Sequence, residues 1–245
     1  MKFYRKSLLA LVLFFAWNCD NTTTEHDLAD NILTDQEKSA GWKLLFDGKT
    51  TNGWHKFNEE GIGKSWQVQD GTLYFNPSVE DDGDIVSDEE YDNFEFSIDW
   101  KIQACGNSGI MYYVVEDEKY NSVWETGPEM QVLDDTCHPD AKIVTHRAGD
   151  LYDLIESKHP AVLPAGRWNR ARIVAQNGRV QHWLNDQKVV ETEFWTDEWR
   201  EMIANSKFKD MPDFGTAKKG RISLQDHDNE VWFKNIKIRE LKTES

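Results

Sequence analysis

Asn93-Phe94-Glu95-Phe96-Ser97-Ile98-Asp99-Trp100-Lys101 is the stretch that decides the fold class. Phe94, Phe96, Ile98 and Trp100 fall at every second position with Glu95, Ser97, Asp99 and Lys101 between them, and in a strand that period sends the two sets to opposite faces. This is the pattern of a sheet packed on one side. Working outward, residues 65–69 and 72–75, joined by Asp70-Gly71, read as a hairpin. Similar runs recur at 108–115, 128–133, 169–175, 180–184, 188–193, 221–225 and 231–239, with turns at Asn177-Gly178 and Asn185-Asp186 marking a meander. Residues 197–207 break the period. Trp199, Met202 and Ile203 follow helical spacing, Thr196 stands as N-cap, and Asp197 and Glu198 lie in the first turn, so one helix is expected there. Numerous short strands with no linker or repeat predict one all-β domain over residues 41–241, a two-sheet antiparallel sandwich. Of the 11 tryptophans, Trp66, Trp100 and Trp183 alternate with polar residues and read as core. Trp232 is out of phase with Val231 and Phe233 and reads as facing the other side of its sheet, where a sugar could stack.

The ends of the chain carry a different message. Lys2, Arg5 and Lys6 precede an apolar run from Leu8 to Trp17 that ends at Cys19. The run is short for a membrane span and has the order of a secretory signal. Residues 1–19 therefore read as a signal peptide, with Cys19 the lipidated residue of a bacterial lipoprotein, and the polar residues 20–40 as a flexible tether. The expected location is the periplasm or outer-membrane surface of a Gram-negative bacterium, with membrane contact only through the lipid. The formal net charge of the whole chain is −16, and cleavage removes positive charge only. Such a surface argues against nucleic acid as a partner. Cys105 and Cys137 remain, in a compartment that permits oxidation, and their spacing does not decide whether they pair.

Glu129-Met130-Gln131-Val132-Leu133-Asp134 places Met130 and Val132 toward a core and projects Glu129 and Gln131 together on the other face. Its spacing resembles the Glu-x-Asp-x-x-Glu strand of laminarinase-like glycoside hydrolases, with Gln131 and Asp134 in place of the second and third acids. A retaining mechanism needs two carboxylates about 5 Å apart, and Gln131 cannot serve as one.

Several segments together resemble the domain-of-unknown-function 1080 family, also called the 3-keto-disaccharide hydrolase domain. They are Gly41-Trp42-Lys43-Leu44-Leu45-Phe46-Asp47-Gly48, Gly106-Asn107-Ser108-Gly109-Ile110, Gly127-Pro128 with the 129–134 run, the stretch from His146 to Leu154, Gly166-Arg167-Trp168-Asn169, Ser206-Lys207-Phe208-Lys209, and the stretch from Gly220 to His227. The resemblance implies a concanavalin-like jelly roll that cleaves glycosides already oxidised to a ketone at C3. The substrate would be a 3-keto-glycoside supplied by a separate oxidoreductase.

A ketone at C3 acidifies the hydrogen at C2, so a base can form an enolate that expels the substituent from C1, after which water adds back. That route needs a base, donors for the enolate oxygen and an acid for the leaving oxygen. Glu129 and His146 are the catalytic candidates: the first on the presumed concave strand, the second in a polar, glycine-containing loop. Asn107, Gln131, Asp134, Tyr152, Asp153, His227 and Trp232 are candidates for substrate binding. Turn chemistry competes at His227 and a purely structural role at Tyr152. No cofactor is expected, although Asp134, Asp135, His138 and Asp140 form a cluster that could hold a calcium or zinc ion. The alternative function is a non-catalytic carbohydrate-binding module, since the same architecture serves lectins.

Overall fold

The computed structural model describes Met1 and residues 29–81 and 83–242. The signal segment with Cys19, and the tether up to residue 28, lie outside the described residues. Thirteen strands form two antiparallel sheets: β1 (Lys43–Leu44), β2 (Trp54–Lys56), β3 (Trp66–Gln69), β4 (Thr72–Phe75), β5 (Ile85–Ser87), β6 (Phe94–Ile102), β7 (Asn107–Val114), β8 (Glu129–Leu133), β9 (Asn169–Gln176), β10 (Arg179–Leu184), β11 (Gln187–Glu193), β12 (Arg221–Leu224) and β13 (Val231–Glu240). The larger sheet runs β11-β10-β9-β6-β13-β4-β3, with β1 paired to β13. The smaller runs β2-β5-β12-β7-β8. This is the expected jelly-roll sandwich.

β6 anchors the larger sheet. Phe94, Phe96, Ile98, Trp100 and Ile102 are each at most 1% exposed, and truncating one such aromatic to alanine would cost about 3–5 kcal/mol. Its polar face is also covered: Arg172 Nη1 and Arg239 Nε donate to Glu95 at 2.9 and 2.8 Å, and Arg170 Nε donates to Asp99 at 3.0 Å. Across the sandwich Ile110, Tyr112, Met130, Val132, Ile222 and Leu224 close the core. Trp66 and Trp100 are buried, but Trp183 is half-buried on the outer face beneath Arg172, 4.1 Å from the guanidinium to the ring. The reason is phase, for Val180, His182 and Leu184 take the inward positions of β10. The hairpin turns hold left-handed residues where expected, with Asn177 at φ 52° and Asn185 at 47°.

Among the described residues two α-helices flank the sandwich. Thr196 caps α2 (Asp197–Ala204) by accepting the Trp199 N–H at 3.1 Å, and Trp199 stacks on Phe194 with ring centres 3.9 Å apart. The chain then enters a 3₁₀ turn, Lys207–Asp210, rather than continuing the helix to 207. The second helix corrects the tether boundary. Thr34 and Glu37 form a capping box on α1 (Asp35–Ser39), and Asn31 donates from its backbone to Asn235 Oδ1 and from its side chain to the Gly71 carbonyl at 2.8 Å. Residues 30–40 are thus fastened to the domain by paired polar groups.

Candidate active site

β8 is the last strand of the smaller sheet, and a loop takes the place of a further neighbour. Gly149 N–H donates to the Gln131 carbonyl at 2.9 Å, Gln131 N–H to the Asp150 carbonyl at 3.1 Å, and Tyr152 N–H to the Glu129 carbonyl at 3.0 Å. The loop is pinned from behind. His182, fully buried, lies 3.0 Å from the Tyr112 hydroxyl and 3.2 Å from the Gly149 carbonyl, and burial depresses its pKa to about 4. The Asp150 carboxylate accepts the N–H groups of Arg147 and Ser157, each at 2.6 Å.

Met130 and Val132 enter the core, so Glu129 and Gln131 project from the opposite face. The Glu129 side chain lies flat over Gly109 of β7, where a Cβ would stand 2.1 Å from Oε1. Its carboxyl accepts no hydrogen bond among the described residues. Burial pushes its pKa up to about 8; Lys207 opposes that shift, while Asp84 and Asp140 add to it. A carboxyl so placed exchanges protons near neutrality instead of remaining a fixed charge.

Around it stand groups from four other segments. His146, 7% exposed, directs Nε2 to Asp153 Oδ1 at 3.0 Å and lays its ring against Tyr152, centres 4.2 Å apart. Its Nδ1 is buried without a hydrogen-bond partner, 3.8 Å from Asp140 Oδ2. Asp153, at φ 63°, accepts the Lys207 N–H through its second oxygen at 3.0 Å, which ties the His146 loop to the turn after α2. The Lys207 ammonium sits 4.0 Å over the Tyr152 ring. The residue keeps an open solvent side, yet burial of its amine outweighs the pull of Glu129, Asp153 and Asp140 and lowers its pKa. On the far side of Glu129, Asn107 and Gln225 each hold a buried side-chain oxygen with no partner. Asn107 Nδ2 lies 3.4 Å from Nε2 of the exposed His227, and Gln131 Oε1 takes the Val132 N–H at 2.9 Å.

The fold therefore gathers Glu129, Gln131, Asn107, His146, Tyr152, Asp153 and His227 along one end of the smaller sheet. It does not bring Asp134 or Trp232 to them. The Asp134 carboxylate is occupied by the Cys105 N–H at 2.8 Å and the Thr136 hydroxyl at 2.6 Å, because it caps the turn leaving β8. Trp232 does face away from the core, but on the larger sheet, stacked on Tyr74 with Lys101 4.3 Å above it. Lys207, Gln225 and Asp84 are additions. Lys207 and Gln225 lie within the family-like segments Ser206–Lys209 and Gly220–His227, and no local pattern marks Asp84.

The three aspartates and His138 expected to hold a cation do not converge: Asp135 accepts from Ala148 N–H at 2.9 Å, and His138 Nδ1 accepts from Asp140 N–H at 3.2 Å. Among the described residues the one grouping with metal-ligand geometry is Cys105, Asp134 and Cys137. Its two sulfurs are joined in a disulfide, Cα atoms 5.0 Å apart, so neither is a thiolate ligand.

A jelly roll carrying a buried, proton-exchanging carboxyl amid unpartnered polar atoms belongs with the glycoside hydrolase-like enzymes, and comparison with known proteins agrees. Residues 41–239 match the family model for the 3-keto-alpha-glucoside-1,2-lyase-like domain, and the chain belongs to that family. It is 36% identical over 228 residues to the 3-keto-disaccharide hydrolase of Bacteroides thetaiotaomicron, covering 82% of this chain and 79% of that one. A crystal structure of a candidate glycosyl hydrolase from Parabacteroides distasonis superposes with a TM-score of 0.81 at 37% identity, covering 87% of this chain and all of the other. A second from the same organism gives a TM-score of 0.62 at 27% identity, over 82% of this chain and 99% of the other.

Proposed function

We propose that the protein cleaves 3-keto-glycosides by elimination followed by hydration, with Glu129 as the base. The observation that carries this reading is the Glu129 carboxyl itself: buried, free of hydrogen bonds, raised to about 8, and coupled to the Lys207 ammonium. Glu129 takes the proton from C2, and negative charge moves to the C3 oxygen. Lys207, open to solvent on one side, is the cation available to hold that charge. The C1–O bond then breaks, its electron pair leaving with the aglycone oxygen, which needs a proton. Asp153 accepts from His146 Nε2–H and so fixes the tautomer with a lone pair on buried Nδ1. In the second half, that nitrogen accepts a proton from the water adding at C1, while Glu129 returns its proton to C2. The sequence is redox-neutral. The unpartnered oxygens of Asn107 and Gln225 suit the hydroxyl donors of a sugar.

The ketone must come from elsewhere, so the reading includes a separate oxidoreductase acting before this enzyme. Export and lipidation at Cys19 are part of the same proposal, supported by the basic-apolar-Cys order and by the Cys105–Cys137 disulfide. Absence of labelled palmitate on the protein would remove the anchor.

The test of the activity is incubation of the mature protein with a 3-keto-glucoside, watching for free 3-keto-glucose. Glu129→Gln should lose at least 100-fold in turnover while substrate binding stays within a few-fold. A substrate deuterated at C2 should react more slowly or exchange its label with solvent. Cleavage that retains the C2 label with no rate difference would overturn the elimination route, and binding without any turnover would leave a carbohydrate-binding module.

A further inference from the structure

Asp84 and Gln225 reach the same face as Glu129 by strand register alone. Ile85 of β5 enters the core, so Asp84 and Val86 on either side of it point the other way. Leu224 of β12 pairs with Ile85, and just past that pair Asp226 N–H donates to the Asp84 side chain, at Oδ1, 2.9 Å away. On the other flank of β12, Gln225 N–H donates to the Gly109 carbonyl at 3.0 Å, and Gly109 pairs with Gln131 of β8. Asp84, Gln225 and Gly109 thus form one row across three strands, and the Glu129 carboxyl lies over the last of them. Two strand spacings amount to roughly 10 Å between the backbones at Asp84 and Gly109. With the Asp84 side chain reaching inward, the gap narrows toward the width of one sugar ring, and its floor is Gln225, whose buried Oε1 has no partner.

We propose that Asp84 is a second catalytic residue, the acid that protonates the departing glycosidic oxygen while Glu129 removes the proton from C2. The proposal rests on the elimination reading above and supplies its missing proton: the C2 proton goes to Glu129, and the Asp84 proton goes to the aglycone oxygen as the C1–O bond breaks; after hydration His146 releases to solvent the proton it took from water, and Asp84 takes one up from solvent as the product leaves. One Asp84 oxygen is fixed by the Asp226 N–H, and the other accepts no hydrogen bond among the described residues. Burial, with the nearby Asp226 charge adding to it, raises the Asp84 pKa to about 7, so the carboxyl holds a proton up to neutrality; with Glu129 at about 8, the productive form, Glu129 ionised and Asp84 protonated, is the less populated of the two singly protonated forms. Gln225, between the two carboxyls, is placed to accept a hydroxyl of the ring held there.

Leaving-group acidity separates this role from a structural one. Asp84→Asn keeps an oxygen for the Asp226 N–H. Against 3-keto-glucosides with alkyl or sugar aglycones it should lose about 100-fold or more in kcat. Against the 4-nitrophenyl 3-keto-glucoside, whose phenolate departs unprotonated, it should stay within about five-fold of wild type. It should also continue to exchange the C2 hydrogen of a bound substrate with solvent, which Glu129→Gln should not. An equal loss on both aglycones, or no loss on either, overturns the acid role while leaving the base reading intact if wild-type exchange at C2 is seen. A wild-type protein that neither cleaves these substrates nor exchanges C2 overturns both. A Tm matching wild type shows that an equal loss is chemical and counts it against the acid role; if Asp84→Asn melts lower, Asp84→Ser is read on the same two aglycones by the same criterion.

Discussion

Gly109 is the residue on which the position of the base depends. A methyl group there would stand 2.1 Å from Glu129 Oε1, and a carboxyl on a flexible stem can move where a strand backbone cannot. Gly109→Ala is therefore expected to fold, with a Tm within a few degrees of wild type, and to lose about 100-fold in kcat because the carboxyl is displaced. Enzyme assays beside thermal melts check both halves. Glu129 itself is held against stability. It keeps its proton to about pH 8 when folded, against an ordinary value of 4.5, so between those values the folded state binds more protons than the unfolded and stability falls as pH rises. Glu129→Gln should accordingly be more stable than wild type at pH 8.5, on the order of 2 kcal/mol, with the gap closing toward pH 5. Activity runs the opposite way: kcat/KM should climb toward pH 8 as the base ionises, measured on an aryl 3-keto-glucoside. Glu129, Gln131, Asn107 and His146 were legible as candidates because strand periodicity or a polar motif exposes such residues in one dimension. Lys207, Gln225 and Asp84 join them only through register and through the Asp153 bridge, which no local pattern carries.

At the scale of elements, alternation revealed every strand long enough to alternate. β1, β2 and β5 have two or three residues, too few to show a period, and Asp84 was lost with β5. α1 does carry a local signal, since Thr34-Asp35-Gln36-Glu37 has the spacing of a capping box, but the polar composition around it gives the signal no apolar period to stand on. The Cys105–Cys137 link spans 32 residues and ties the start of β7, which bears Asn107, to the turn leaving β8. A Cys105→Ser, Cys137→Ser variant should lose about 3 kcal/mol in urea unfolding, with KM raised more than kcat is lowered, because it is the sugar-holding end of the site that loosens. Unchanged urea midpoints in oxidising and reducing buffer would contradict this.

For the molecule as a whole, the decisive strand is β13. It lies between β6 and β4 in the middle of the larger sheet, supplies Val231, Phe233, Ile236 and Ile238 to the core, and also receives β1. A chain ending at Glu230 should show no cooperative melt and no native near-ultraviolet circular dichroism, whereas a mere edge strand could be lost with partial structure retained. Synthesis proceeds from the other end. β1, β4 and β6 emerge from the ribosome well before the strand that joins them, and β4 and β6 must wait with a ladder edge open and an aromatic face uncovered. A nascent chain of this design is a client for holding factors until its last turn of synthesis, and it remains threadable through a narrow pore for just that long.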